Sequence, residues 1–135
     1  MIEYRFSKPT LEGYRRLFES TGWTTSYRIT DSILEKAIHE SWQWVSAFDG
    51  ETLIGIGRLL SDGGLYAFVC DMIVLPAYQG QGIGTEILKR LKDKCTEHDI
   101  QRVWLFAAQG RAGFYTKNGF DIRPEDAPGM QMRKT

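Results

Sequence analysis

The chain has 135 residues, enough for one domain with a substantial apolar core. It is 42% hydrophobic and 25% charged, an ordinary globular composition, and no apolar run approaches the length that a membrane-spanning helix needs. The 17 basic residues balance the 17 acidic ones, which argues against nucleic acid or an anionic membrane surface as a partner.

The first third of the chain predicts one strand and two helices. Ile2–Phe6 alternates between apolar and polar residues and indicates a strand. Pro9 and Thr10 open a helix that is expected to end near Thr21-Gly22. Trp23–Ile29 is then predicted as a loop, and Ser32-Ile-Leu-Glu35 as the capping box of a second short helix.

Three apolar runs follow and predict antiparallel strands. Trp42–Phe48 and Thr52–Leu60 flank Asp49-Gly50, which is a strong hairpin signal. A second turn, Ser61-Asp-Gly-Gly64, leads into the run Leu65–Leu75. This run is apolar on both faces, so it is expected to be the central strand of the sheet.

The remaining segments predict two helices and three short strands. Thr85–His98 has helical periodicity, and Val103–Ala108 indicates a buried strand. Because a helix separates this strand from Leu65–Leu75, the two strands should run parallel. Arg111–Asn118 is predicted as a short helix, and Phe120–Ile122 and Met130–Arg133 as the last strands. The expected order is β-α-α-β-β-β-α-β-α-β-β, a mixed α/β fold with a mostly antiparallel sheet.

A glycine loop joins the long apolar strand to the helix that follows it. Pro76 ends the strand, since proline lacks a backbone N–H. Gly80, Gly82 and Gly84 then stand at alternate positions before the helix. Such a loop presents backbone N–H groups to an anion at the positive end of a helix. The sequence therefore predicts a phosphate-bearing ligand that is bound mainly by main chain.

Two common phosphate loops do not fit this stretch. The Walker pattern ends in Gly-Lys-Ser/Thr, yet no lysine lies between Lys36 and Lys89. The dinucleotide fingerprint needs a third glycine at the position that Ile87 occupies. A glycine-rich turn without any ligand is the simplest alternative.

Two motifs carry a resemblance to a known family. Gln79-x-x-Gly82-x-Gly84, after a strand that ends in Val-x-Pro, resembles the acetyl-coenzyme-A signature of the GNAT superfamily of N-acetyltransferases. The segment from Ala112 to Phe120 is similar to the family's Ala-x-x-Phe/Tyr-Tyr-x-x-x-Gly-Phe motif. The predicted element order is also that of GNAT domains. Residues 1–135 are therefore identified as a single GNAT domain.

The resemblance implies acetyl-CoA as the cofactor. It implies that the pantetheine arm pairs with a segment of the central strand, which must then part from the Val103–Ala108 strand beside it. It also implies that the loop backbone binds the pyrophosphate, and that Gln109 and Phe114 contribute to the cofactor site. The residues assigned to these roles are Ile73, Val74, Leu75, Gln79, Gly80, Gln81, Gly82, Ile83, Gly84, Thr85, Gln109 and Phe114.

The reaction implied is direct attack of an amine on the thioester, with no covalent enzyme intermediate. The Val74 N–H is the candidate to stabilise the oxyanion. Tyr115 matches the family's frequent general acid, the alternative being a packing residue beside Phe114. Asp71 is the first choice for the base, the alternative being a structural hydrogen-bond acceptor. Phe68 stands where some members have a catalytic glutamate, so a chain of water molecules is a further alternative.

Aromatic side chains of the early segments are predicted to line the acceptor site. Trp42 and Trp44 lie two apart on a predicted strand and are expected to share a face. Such a wall suits an aliphatic or aryl amine. The leading acceptor is a small primary amine; the alternatives are a protein amine, a non-catalytic CoA sensor and a nucleotide-binding protein. The residues assigned are Trp23, Tyr27, Trp42, Trp44, Tyr66 and Phe68.

The cysteines complete the expectations. Cys70 and Cys95 lack CxxC or metal-ligand spacing and are predicted to be buried free thiols, so no metal site is expected and the cytoplasm is the default location. The charged N-terminal segment does not resemble a signal peptide. An exposed C-terminal strand or aromatic patch could support a homodimer.

Overall fold

Five strands form one sheet in the order of the chain, in a computed structural model that describes residues 1–23 and 29–134. Neighbouring strands pair antiparallel until the last, which runs parallel to its neighbour. This mixed sheet confirms the predicted fold class. The strands are β1 (Ile2–Arg5), β2 (Gln43–Asp49), β3 (Thr52–Ser61), β4 (Tyr66–Val74) and β5 (Arg102–Leu105).

Four α-helices accompany the strands in the described part of the chain: α1 (Leu11–Glu19), α2 (Asp31–Glu40), α3 (Ile83–Glu97) and α4 (Ala112–Lys117). Thr10 caps α1, where its side chain accepts a hydrogen bond from the Gly13 N–H. Thr30, not Ser32, caps α2. Its backbone is extended, as an N-cap requires, and its Oγ1 accepts from the Ile33 N–H at 3.2 Å. The predicted cap at Ser32 is therefore wrong, since Ser32 lies inside the helix.

The helices cover the two faces of the sheet differently. On one face, Tyr14 of α1 and Ile38 of α2 join Trp44 and Ile73 in an apolar core. On the other face, Ile87 of α3 lies so close to Gly57 that a Cβ there would stand 2.8 Å from its Cγ2. Side chains alternate along β3. Gly57 therefore faces α3, whereas its neighbours Ile56 and Arg58 face α1 and α2.

Both predicted turns are confirmed. Gly50 adopts a left-handed φ of 63° between β2 and β3. Before β4, Asp62 Oδ1 accepts hydrogen bonds from the N–H groups of Gly64 and Leu65 at 2.9 and 2.8 Å. The hydrogen bonds from these backbone groups lower the pKa of Asp62.

The chain separates into two compact units, Met1–Leu105 and Phe106–Thr135, and each is described by itself. The predicted strand Val103–Ala108 ends at Leu105, and the described part of the second unit contains no strand. The expected strands at Phe120–Ile122 and Met130–Arg133 are therefore wrong. Their apolar side chains are 75%, 82% and 92% exposed at Ile122, Met130 and Met132.

Two remaining expectations concern the loop after α1 and the membrane. Most of the predicted loop Trp23–Ile29 lies outside the described residues. Within the described ranges, none of the helices combines the length and the apolar character that crossing a bilayer requires.

Candidate functional site

The two halves of β4 have different partners. Its first half pairs with β5 from Tyr66↔Arg102 to Val69↔Leu105, where β5 ends. Among the strands that the structure describes, its second half, residues 70–74, pairs with β3 alone. The Leu75 N–H donates to the Ile54 carbonyl of β3 at 2.9 Å. Since successive N–H groups of a strand point to opposite sides, the Val74 N–H faces away from β3, along the side that β5 has left.

A β-bulge begins this second half. Ile56 pairs with Ile73 and Arg58 with Cys70, so two residues of β4, Asp71 and Met72, stand opposite the single Gly57 of β3. Asp71 has a left-handed φ of 52°, which aspartate tolerates better than most residues. The bulge brings the Met72 sulphur over Gly57 on the α3 face.

The glycine loop connects this strand to the N-terminus of α3. Gly80 and Gly82 have φ values of 79° and 83°, and no atom lies within 4 Å of the position that a Cβ would take at either residue. Gly82 is the N-cap of a 15-residue helix and provides no side chain to bond its first turn. Exposed backbone, open space and the positive end of a helix fit a pyrophosphate group.

Side chains of the loop tie it to the strands. Gln79 Nε2 donates to the Val74 carbonyl at 2.9 Å, which connects the loop to the open edge of β4. The Tyr78 hydroxyl donates to Asp49 Oδ2 at 2.6 Å, in the hairpin between β2 and β3. This hydrogen bond to Asp49 raises the pKa of Tyr78. The loop is therefore held at both of its neighbouring strand ends.

Behind the bulge lies a largely buried ion pair that the sequence did not reveal. Arg58 Nε donates to Asp71 Oδ2 at 2.7 Å, and the Tyr14 hydroxyl of α1 donates to the same oxygen. Burial and the negative charge of Asp71 raise the pKa of Tyr14. Arg58 Nη1 also donates to Ser41 Oγ at 3.0 Å. The available signal was Arg58 itself, a lone charge in an apolar strand run.

The second unit holds the predicted acid. Tyr115 is half-buried on α4, and its ring packs edge-on against Phe114 and Phe120 at centroid distances of 5.0 and 6.0 Å. Burial raises the pKa of Tyr115, with the charge of Arg111 opposing it. A phenol of this kind keeps its proton at neutral pH. Gln109 is exposed beside Gly110.

The two cysteines are free, as predicted, but only Cys95 is fully buried. Cys70 is half-buried next to the bulge, where burial raises the pKa of its thiol to about 11. A neutral thiol is a poor nucleophile, which argues against a catalytic role for Cys70.

The predicted acceptor aromatics occupy different places. Trp44 is 3% exposed, and its Nε1 donates to the Ile38 carbonyl within the core. Trp42 lies before β2 begins and contacts His98, one residue beyond α3, at a ring distance of 5.0 Å. Trp44 thus packs in the core, whereas Trp42 contacts the residue that follows α3. The shared face expected of the two rings stays a prediction.

The other predicted acceptor aromatics that the structure describes are exposed or half-buried. Tyr66 is exposed and stacks on Trp104 at 4.9 Å. Trp23 is half-buried against Phe18, and Phe68 is half-buried in β4. Tyr27 lies outside the described residues.

A strand that is open along one edge, followed by a glycine loop on a helix N-terminus, is the arrangement expected of an acyl-CoA-binding transferase. A sequence model of the acetyltransferase (GNAT) family matches residues 11–120. The chain belongs to this family, and the members are acetyltransferases that use acetyl-CoA.

Solved structures and a curated relative agree with this assignment. The chain is similar to a GNAT-family acetyltransferase of Streptococcus pneumoniae, with 33% identity, a TM-score of 0.84 and coverage of 99% and 98% of the two chains. A probable acetyltransferase of Staphylococcus aureus has 28% identity, a TM-score of 0.86 and coverage of 99% and 100%.

The relative is a soybean (Glycine max) protein named histone acetyltransferase TAP1. It is 38% identical over 78 residues, which cover 58% of this chain and 34% of the relative. The chain thus spans about a third of the length of the first curated relatives that it matches.

Proposed function

We propose that this protein transfers the acetyl group of acetyl-CoA to the primary amine of a small molecule in the cytoplasm. The observation that carries the proposal is the second half of β4, which lacks β5 as a partner and leads directly into the glycine loop. Both compact units are proposed to form one transferase domain, because the family match runs across the boundary between them.

The cofactor roles follow from the open strand and the loop. Bound acetyl-CoA would supply an activated acetyl thioester. The open edge of Ile73–Leu75 would pair with the amides of the pantetheine arm in the manner of an added strand. The backbone from Gln79 to Thr85 would hold the pyrophosphate, and the Val74 N–H would stabilise negative charge on the carbonyl oxygen. Gln109 and Phe114 are proposed as further cofactor contacts.

Tyr115 is proposed as the acid that protonates the departing thiolate. Its raised pKa supports a phenol that is protonated at neutral pH. Tyr115→Phe removes the proton donor and is expected to lower kcat by about 100-fold or more, as general acids contribute. The Kd for acetyl-CoA, measured by calorimetry, should change little. Unchanged turnover would remove the acid role.

The base is proposed to be Asp71 or a chain of water molecules. Asp71 lies two residues before the proposed acyl-binding segment Ile73–Leu75. Its Oδ2, however, already accepts hydrogen bonds from Arg58 and Tyr14. This arrangement supports a structural role for Asp71 as a hydrogen-bond acceptor. In that case, a chain of water molecules would accept the proton of the amine.

A protein amine is the second candidate acceptor. Over 78 aligned residues the chain is similar to the soybean relative, whose name, histone acetyltransferase, favours a protein acceptor. For a small amine, the aromatic side chains near the surface, Trp23, Trp42, Tyr66 and Phe68, are the proposed contacts. A panel of aliphatic amines, aryl amines and lysine peptides, with release of free thiol as the readout, separates the two candidates.

The cofactor site is tested with two matched glycine variants. Gly82 and Gly22 have φ values of 83° and 78° and equally open surroundings. Valine at either position suffers the strain of a left-handed backbone, roughly 1–2 kcal/mol. Only Gly82→Val should block the loop and weaken acetyl-CoA binding by more than about 100-fold in calorimetry. Equal affinities for Gly82→Val and Gly22→Val would overturn the site.

A further inference from the structure

The bulge in β4 stands at the place where the sheet opens. The last pair of β4 with β5 is Val69↔Leu105, and the extra residue of the bulge follows within three positions. Ile73–Leu75 comes directly after it. The backbone conformation of the bulge therefore sets the direction in which the Val74 N–H points.

One carboxylate fixes this conformation from the side. Asp71 carries the left-handed φ of 52°, and its Oδ2 is held by Arg58 of β3 and by Tyr14 of α1. Arg58 is fixed in turn by Ser41, whose own Oγ donates to the Ala37 carbonyl of α2 at 2.6 Å. The bulge is thus anchored to a neighbouring strand and to both helices of that face.

The anchor is rigid as well as polar. The Tyr14 ring packs edge-on against Trp44 at 5.2 Å, and the Arg58 guanidinium lies 5.8 Å from the same ring. Because desolvation offsets much of the attraction within a largely buried ion pair, we infer that this pair serves geometry more than stability.

We propose that Asp71 is a positioning residue whose bonds to Arg58 and Tyr14 hold the β4 bulge and thereby direct the Val74 N–H at the acyl carbonyl of acetyl-CoA. The inference rests on the proposed function and deepens it, because it gives Asp71 a task other than proton transfer. What the task needs is an acceptor oxygen on a residue that tolerates a left-handed φ.

Three substitutions separate this role from that of a base. Asp71→Asn keeps both the acceptor oxygen and the tolerance for left-handed backbone, but it cannot take up a proton. Asp71→Gly keeps only the backbone freedom, and Asp71→Ala keeps neither. We expect Asn to lower kcat by less than about tenfold, and Gly and Ala to lower it by about 100-fold, as a misplaced catalytic group does.

A spectroscopic readout follows the proposed hydrogen bond without turnover. The label is ¹³C at the carbonyl of acetyl-CoA, read by difference infrared spectroscopy. In the wild type and in Asp71→Asn, the carbonyl stretch of the bound cofactor should lie at a lower frequency than that of free acetyl-CoA. The shift should be lost in Asp71→Ala and reduced in Tyr14→Phe. Calorimetry with CoA and acetyl-CoA checks that each variant still binds the rest of the cofactor.

The outcomes are distinct. A wild-type protein that binds no acetyl-CoA overturns the proposed function and this inference together. If the wild type binds and turns over, a 100-fold loss in Asp71→Asn with loss of the acidic limb of the pH–rate profile makes Asp71 the base and overturns only the inference. An Asp71→Ala variant with the wild-type carbonyl frequency overturns it as well.

Discussion

The first and second halves of β4 are both mostly apolar, but they are held in different ways. In the first half, Ala67–Val69 pairs on both sides, with β3 and β5, and Tyr66 pairs with β5. This half follows a turn that is closed by the exposed Asp62. Residues 70–74 pair on one side only, begin with a bulge, and have a buried ion pair behind them. Regular pairing stabilises the first half, whereas side chains from other elements must hold the second.

The sheet thus opens locally at β4 without losing its strand order. Backbone groups that lose a strand partner are costly when buried, unless a ligand satisfies them. The second half compensates with an acceptor carboxylate on the α1 and α2 face and with close packing on the α3 face. A strand that is held on both faces can leave one edge available to a ligand.

The largest expected effect tests the aromatic packing behind the second half. Trp44 supports Tyr14 and Arg58 and is 3% exposed, so Trp44→Ala should cost about 3–5 kcal/mol of the free energy of unfolding. The matched variant is Tyr66→Ala in the first half. Tyr66 is 45% exposed and stacks on Trp104, which predicts a loss of only about 0.5–1.5 kcal/mol.

Urea unfolding of both variants measures this difference. Similar losses for Trp44→Ala and Tyr66→Ala would show that the two halves depend equally on their aromatic neighbours. They would contradict the claim that side chains of other elements hold the second half in particular.

The next effect tests the α3 face at the bulge. A Cβ at Gly57 would stand 2.8 Å from Ile87 Cγ2, 2.8 Å from Met72 Sδ and 2.9 Å from Leu91 Cδ1. Gly57→Ala should therefore destabilise the protein by about 1–3 kcal/mol through overpacking. Gly64→Ala, which precedes the first half and has nothing within 4 Å, is the matched control.

Thermal unfolding and acetyl-CoA calorimetry on both glycine variants complete this test. We expect Gly57→Ala to weaken cofactor binding as well, because pressure on Met72 displaces the bulge. Gly64→Ala should leave both quantities near their wild-type values. A Gly57→Ala protein as stable as Gly64→Ala would mean that the bulge adapts freely.

Local signals made much of this architecture predictable. Asp49-Gly50, Ser61–Gly64 and the stretch from Pro76 to Gly84 specify their own backbone conformations within a few residues, and each turn or loop forms where expected. The helix α3 buries the five apolar residues that its periodicity predicts, namely Ile83, Ile87, Leu88, Leu91 and Cys95. Such features depend on neighbours in sequence, which a single sequence displays.

Features that depend on distant partners were not predictable in the same way. Asp71 is a carboxylate in an apolar run, but the sequence does not identify its partners, since Arg58 and Tyr14 lie 13 and 57 positions away. The pattern around Met130 and Met132 alternates like a strand, yet whether a strand forms depends on a neighbour that the pattern does not specify. The burial of Trp44 likewise depends on a distant partner, the Ile38 carbonyl of α2, which the aromatic pattern of the strand does not specify.

The smallest expected effect concerns the turn that begins the first half. Hydrogen bonds from the N–H groups of Gly64, Leu65 and Tyr66 lower the pKa of Asp62 below the unfolded value of 3.8. A carboxyl group whose pKa is lowered by folding stabilises the protein above its unfolded pKa, and this contribution disappears as the pH falls through the folded pKa.

Asp62→Asn keeps an acceptor oxygen without the charge, so it isolates this electrostatic contribution. Wild type should melt slightly higher than Asp62→Asn near neutral pH, and the two melting curves should converge below about pH 4. A difference that stays constant over this range would show that the turn is held by its shape, and that the charge of Asp62 contributes nothing to the paired half of β4.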